Sequence, residues 1–362
     1  MLYDELKSRN LPKLLPREEM IDILQRLEYG YLPTPNEYSV TADEPKVLEG
    51  RYGCGTVTHS YVNLTICVGG GSHTFRVDRF LHSDGKKRPL IILNNIHPLD
   101  SSPYFSKEEM CEYDVDYLGF AYQSVTSDDG DFSTGLAPLL LPNGQDADTT
   151  CGKIGIWAWA AMRVLDYGLT LPGSDPDNTA IVGHSRLGKT AAYTAMMDER
   201  FKFAFSHAAG CAGDALARGG SGLSRTIYRD TTKGELVGDI VRMFPYWFCK
   251  NYLKYEKSNI PDEFDQHFLL ASIAPRYVMV GSCDLDHWAD PQSQQLCALA
   301  AGEAWENQGL PGLVGGADSY IDSNSALIDG HVGYSKIHSL HFLSRHSWRN
   351  FLQFVEKHRY EK

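Results

Sequence analysis

The sequence has no apolar run long enough to cross a bilayer as a helix, which takes about 20 consecutive apolar residues, so a helical membrane span is excluded. It also has no basic run. Lysine and arginine total 34 against 46 aspartates and glutamates, a net charge of −12. That balance argues against nucleic acid and anionic membrane as partners. The first 20 residues, MLYDELKSRNLPKLLPREEM, lack an apolar core and carry acids early. They do not read as a signal peptide, and the expectation is a cytoplasmic protein, or a secreted one whose leader has been removed. No C-x-x-C pair occurs. The eight cysteines (54, 67, 111, 151, 211, 249, 283 and 297) are scattered, and several, such as Cys67 and Cys297, fall in apolar stretches. Mostly free, buried thiols in a reducing compartment are expected. Repeats, low-complexity tracts and linkers are absent too. With 362 residues, 43% of them hydrophobic, the chain can bury a large core, and a single domain over 1–362 is expected.

What is present alternates between two periods. Met20, Ile23, Leu24 and Leu27 have helical spacing over 17–29, ending before Gly30 and Pro33. From Tyr38 to Leu81 the period is two. Tyr61–Cys67 and Thr74–Phe80 form a hairpin pattern around Gly69-Gly70-Gly71-Ser72, so the helix and hairpin together cover about 17–81. Leu90–Leu93 is short and wholly apolar, hence a strand buried on both faces. A helix at Lys107–Tyr113 precedes a strand within Val115–Val125. A long polar loop covers 126–152, and Ile154–Tyr167 is a strongly apolar helix. Phe203–His207 and Arg276–Ser282 read as further strands. Helices are expected up to Ala274, over Leu296–Trp305 and over Trp348–Lys357, with a last strand at Val332–Ser335. The Gly-rich and acidic stretch over about 208–263 reads as an excursion. Alternating strands and helices imply a mostly parallel sheet covered on both faces, with its site beyond the C-terminal strand ends.

One stretch organises the chemistry. Thr179–Lys189, TAIVGHSRLGK, runs from a buried-strand pattern into Gly183-His184-Ser185 and then into a helical pattern over Arg186–Met197. Strand, sharp turn with serine at its apex, helix: this is the layout of a nucleophile elbow. A serine hydroxyl is a weak nucleophile and needs a base on one side and backbone N–H donors on the other. Leu187 occupies the second glycine position of G-x-S-x-G and Gly188 follows it, so the match is to G-x-S-x-x-G. The plainer alternative is a serine that caps the helix. The base should be a histidine after the last strand, where His331, His338, His341 and His346 all stand. The acid that orients it should follow the preceding strand, where Asp284, Asp286 and Asp290 stand. Position alone leaves both choices open. H-x-x-H at His338–His341 would present two metal ligands on a helix, but no third ligand follows at a recognisable spacing, and no metal is expected.

Several segments together carry a resemblance. GHSRLGK (183–189), FPYWF (244–248), FDQHFLLASIAPR (264–276), DHWADP (286–291), GYSKIHSLH (333–341) and the helix IGIWAWAAMRVLDY (154–167) resemble the glucuronoyl esterases, carbohydrate esterase family fifteen, over about 18–357. The resemblance implies an α/β-hydrolase fold: a three-layer αβα sandwich with a mostly parallel central sheet and antiparallel N-terminal strands. It implies cleavage of esters between (4-O-methyl-)glucuronic acid and lignin alcohols in lignocellulose, without a cofactor. Position by position, it makes Ser185 the nucleophile, His341 the base and Arg186 the oxyanion-hole residue. Lys189, Glu235 and Trp288 become sugar-binding positions. A glutamate that some members carry after the elbow helix is replaced by Ala208. Other members carry an aspartate two residues before the tryptophan, which is Asp286, also where the hydrolase topology puts the acid. The chain departs from the family pattern at Asp214, where a small residue is usual, and at Ser335, Ile337 and Ser339 near the histidine. The expected partner is a small-molecule or oligosaccharide uronate ester. The alternatives are an esterase of other specificity, such as a carbohydrate deacetylase, and an inactive carbohydrate-binding relative.

Overall fold

The computed structural model describes residues 2–48, 50, 52–218, 234–257 and 260–361. Part of the 208–263 excursion, residues 219–233 and 258–259, therefore lies outside the described residues. Eleven strands form one sheet: β1 (Tyr38–Ala42), β2 (Lys46–Val47), β3 (Val57–Val68), β4 (Gly71–His82), β5 (Arg88–Asn95), β6 (Asp116–Ala121), β7 (Ser174–His184), β8 (Phe203–His207), β9 (Tyr277–Cys283), β10 (Ser325–Leu327) and β11 (Val332–Ile337). Their order is β1-β3-β4-β6-β5-β7-β8-β9-β11-β10, with β2 also on β3. From β6 to β11 along this order every pairing is parallel. β1 to β4 pair antiparallel at one edge and β10 at the other.

The apolar strand runs explain the two cores. Leu90 and Ile92 of β5 point into a core with the helices Arg17–Leu24, Lys153–Gly168, Arg186–Met197 and Pro291–Glu306. Ile91 and Leu93 point the other way, onto Trp348, Phe351, Leu352 and Val355 of the C-terminal helix Arg345–His358. A strand covered on both faces can be apolar at every position. With helices on both sides of a largely parallel sheet, this is the α/β-hydrolase fold.

Boundaries differ from the sequence pattern where local geometry intervenes. The first amphipathic helix is α-helical only over Arg17–Leu24 and widens into a π-turn at Gln25–Tyr29. That wider turn buries three consecutive residues, Leu27, Glu28 and Tyr29. The β3–β4 connection is only Gly69-Gly70, with φ of 57° and 83°, so Gly71 and Ser72 already belong to the strand. Two positive φ values in a two-residue hairpin turn call for glycine at both positions. β6 stops at Ala121 and a 3₁₀ turn at Tyr122–Ser124 follows, while the helix expected over Lys107–Tyr113 stops at Met110. The long loop after β6 holds one short helix, Ala137–Leu140. Among the described cysteine side chains all seven are free, and all but Cys67 are buried.

Candidate active site

β7 delivers Ser185 at the C-terminal edge of the sheet in a conformation few residues tolerate, φ 61° and ψ −128°. The turn is held by its amide, which donates to the His207 carbonyl at 2.8 Å. Glycine is required around it for space. A Cβ on Gly183 would lie 1.9 Å from the Leu187 carbonyl oxygen, and one on Gly188 would lie 3.0 Å from both the Ala209 Cβ and the His207 carbonyl oxygen. The G-x-S-x-x-G spacing thus serves strand–helix crossing first and β8 second. The Ser185 side chain makes no capping bond, so its hydroxyl is left to the cavity it lines. The N–H groups of Arg186 and Leu187 open the following helix, where no intrahelical acceptor exists for them.

β9 and β11 are neighbours, with Cys283 opposite Ile337, so the loops that follow them emerge side by side. His341 Nδ1 lies 2.5 Å from Asp286 Oδ2, and the Asp286 side chain is 6% exposed. With Nδ1 engaged by the carboxylate, Nε2 is the nitrogen left for a hydroxyl. The other two aspartates of this loop do different work. Asp284 takes His338 Nδ1 at 2.9 Å and the Ser339 amide at 3.2 Å, and bonds Ser323. Asp290, at φ 55°, caps the helix Pro291–Glu306 by accepting from the Ser293 amide at 3.1 Å and its hydroxyl at 2.9 Å. Of the remaining histidines, His331 stacks on Tyr277, and His346 is an exposed residue of the C-terminal helix. The H-x-x-H pair is not on a helix: 338–341 is a series of bends, and each histidine takes its own aspartate. Among the described residues no cluster of three potential metal ligands occurs.

Ser185, Asp286 and His341 border one cavity of about 280 Å³, whose walls include Arg186, Lys189, Glu235, Trp247 and Trp288. Lys189 is buried and donates to the carbonyl oxygens of Ala209 and Cys211, with Nζ 3.7 Å from Glu235 Oε2. It therefore braces the 209–211 turn and Glu235 while lining the cavity. Glu235 accepts from Trp288 Nε1 at 2.8 Å, and its amide donates to the Trp288 carbonyl at 2.8 Å. Burial pushes the Glu235 carboxyl above its ordinary pKa, against the pull of Lys189 and Trp288. Ala208 opens the loop after β8 at φ 46° and supplies no carboxylate. Asp214 closes that loop, accepting from the Gly210 amide, the Ser206 hydroxyl and Gln294 Nε2, each at 2.8 Å.

Three groups had no signal in the sequence reading. Asp128, from the loop after β6, forms an ion pair with Arg186. His184 and His207 are buried with their Nδ1 atoms 2.9 Å apart. The His184 ring centre lies 4.5 Å from that of His341. Burial drives both buried imidazoles toward the neutral form, His207 to about 3. Gly281 leaves room for the His207 ring: a Cβ there would lie 2.5 Å from His207 Cδ2.

A family model described as "Glucuronyl esterase, fungi" matches residues 64–309. The chain belongs to the glucuronyl esterase family. Two curated relatives of this family member illustrate the range. The "Carbohydrate esterase MZ0003" of an unknown prokaryotic organism is 33% identical over 57% of this chain and 44% of its own length. The 4-O-methyl-glucuronoyl methylesterase of Hypocrea jecorina is 27% identical over 88% of this chain and 59% of its own length. The chain thus spans about half the length of these curated relatives. Among solved structures, a glucuronoyl esterase from Solibacter usitatus superposes with a TM-score of 0.81 at 24% identity, covering 95% of this chain and 92% of that one. A further glucuronoyl esterase, from Sporotrichum thermophile in complex with methyl 4-O-methyl-β-D-glucopyranuronate, gives 0.65 at 21% identity, covering 94% and 80%. These two likenesses establish the fold.

Proposed function

We propose that this chain hydrolyses esters of glucuronic or 4-O-methyl-glucuronic acid through an acyl-enzyme on Ser185. The observation that carries the reading is the convergence of Ser185, the His341–Asp286 pair and Arg186 on one cavity in a chain of the glucuronyl esterase family. His341 Nε2 takes the Ser185 proton as the hydroxyl attacks the ester carbonyl, and Asp286 steadies the imidazolium through Nδ1. The oxyanion is met by the N–H groups that open the elbow helix and by the Arg186 guanidinium. The collapsing intermediate expels the alcohol, which takes its proton from His341. Water, activated by the same histidine, then releases the uronate. Glu235, Trp288 and Lys189 are the polar wall suited to sugar hydroxyls on the acyl side.

The test has two arms. A fluorophosphonate should label the protein at Ser185, because only an activated serine reacts. Methyl and benzyl glucuronate should then be turned over in preference to acetylated xylose. Labelling together with a preference for acetylated xylose would mean a carbohydrate deacetylase, and no labelling at all would mean an inactive relative.

A further inference from the structure

We propose that Asp128 is a positioning residue of the oxyanion site: it holds the Arg186 guanidinium in the one orientation that meets charge developing on the substrate. The proposal rests on the serine-esterase reading above. Asp128 does not border the cavity that Ser185 and His341 line, so it acts through Arg186 and not on the substrate.

Three elements meet at its carboxylate. Oδ1 accepts from Trp247 Nε1 at 2.7 Å, and Oδ2 accepts from the Tyr122 hydroxyl at 2.8 Å and from Arg186 Nη1. Its backbone carbonyl accepts from the Tyr246 hydroxyl at 2.9 Å. Tyr122 comes from the turn after β6, Trp247 from the aromatic strip at 244–248, and Arg186 from the elbow helix. The carboxylate is itself held in place. Buried Lys153 donates to Thr126 Oγ1 at 2.9 Å and to the Asp131 carbonyl at 2.6 Å, which pins the 126–131 turn to the start of the helix Lys153–Gly168.

The guanidinium is thus held at Nη1 by the carboxylate and lies beside a pair of aromatic rings. Its centre is 4.9 Å from the Trp247 ring and 5.5 Å from the Phe244 ring, and these two rings stack at 4.0 Å with 3° between their planes. Among the described residues both of its side-chain hydrogen bonds run from Nη1, and Nε is buried without an acceptor. An unrestrained arginine side chain has rotamer entropy to lose on being ordered. Ordering it in advance means the oxyanion site needs no reorganisation as charge develops, and that is the condition under which such donors are most effective.

A double-mutant cycle tests this. Asp128→Asn, Arg186→Gln and the double variant are compared in two assays: the rate of inactivation by a fluorophosphonate, and kcat and KM for methyl glucuronate. Each single substitution should lower kcat and the inactivation rate by about 10²-fold, the range for loss of one oxyanion donor, with KM little changed. Asp128→Asn should then cost nothing further in the Arg186→Gln background. Should Asp128→Asn not fold, Tyr122→Phe removes one donor from the carboxylate and carries the same cycle, with a several-fold loss of kcat that disappears in the Arg186→Gln background. Wild-type rates in Asp128→Asn, or the same loss with and without Arg186, would overturn the proposal. A wild-type protein that resists the fluorophosphonate would overturn the esterase reading and this proposal with it. If the serine is labelled but methyl glucuronate is untouched, only the substrate changes, and the inactivation arm still decides the role of Asp128.

Discussion

Two histidine–aspartate pairs stand on adjacent loops of this molecule, and they are built from residues only two or three positions apart. His338 meets Asp284 at 2.9 Å and His341 meets Asp286 at 2.5 Å. Their surroundings separate them. His338 is 62% exposed, and Asp284 also serves Ser323 and the Ser339 amide, so that pair closes a surface loop. His341 and Asp286 border the cavity of Ser185, with the buried, neutral His184–His207 pair behind the His341 ring. A nearby carboxylate thus does not by itself distinguish the two histidines. What distinguishes His341 is the cavity it shares with Ser185.

The comparison can be broken at its most sensitive point by Ser185→Ala. Loss of the hydroxyl should abolish both fluorophosphonate labelling and ester hydrolysis while the fold is kept. Persistent turnover in the purified variant would rule out the acyl-enzyme route. The next largest effect separates the two pairs directly. Asp286→Asn should cost on the order of 10⁴ in kcat, because the amide selects the wrong imidazole tautomer, whereas Asp284→Asn should leave kcat near the wild-type value. Steady-state kinetics of the two variants side by side would reverse the assignment if the ranking came out the other way. The third acid of the same loop tests a different property. Asp290→Ala removes a helix cap, with an expected cost of about 1–2 kcal/mol in unfolding free energy read from urea titrations, and with kcat unchanged. The last effect concerns the imidazoles behind His341. His207 takes up its proton only near pH 3 in the folded state, against about 6.5 when unfolded. The unfolded chain therefore binds more protons between these values, and stability falls as pH drops from about 6.5 toward 3. His207→Gln should flatten that decline, measured as the change in urea midpoint between pH 7 and pH 5. An equal slope in both proteins would assign the pH dependence to other groups.

Much of the frame was legible because it follows local rules. The elbow is written in adjacent residues: a Cβ on Gly183 would collide with the Leu187 backbone, one on Gly188 would crowd Ala209 and His207, and Ile181 and Val182 lie between two covered faces. Asp290 directly precedes Pro291 and caps the helix that starts there. The three aspartates after β9 were less legible, since all three stand within seven residues of one loop and no periodicity applies there. Topology narrowed them and a family resemblance chose Asp286. Asp128 was not legible at all. It falls in the polar loop at 126–152, and its partners Tyr122, Arg186 and Trp247 are separated from it by up to 119 positions. FPYWF stands out as a motif, yet nothing in it says that Trp247 donates to a carboxylate from another loop.

The sequence by itself determined the secondary elements, their alternation and the strained serine turn, because each depends on the sterics and burial of neighbours within a few residues. Only the tertiary structure decided which aspartate faces His341, which one ties down a surface histidine, and how Arg186 is held. Those pairings depend on where loops from separate strands end in space. That is set by the order and register of β6, β7, β9 and β11 in the sheet, and no local pattern along the chain records it.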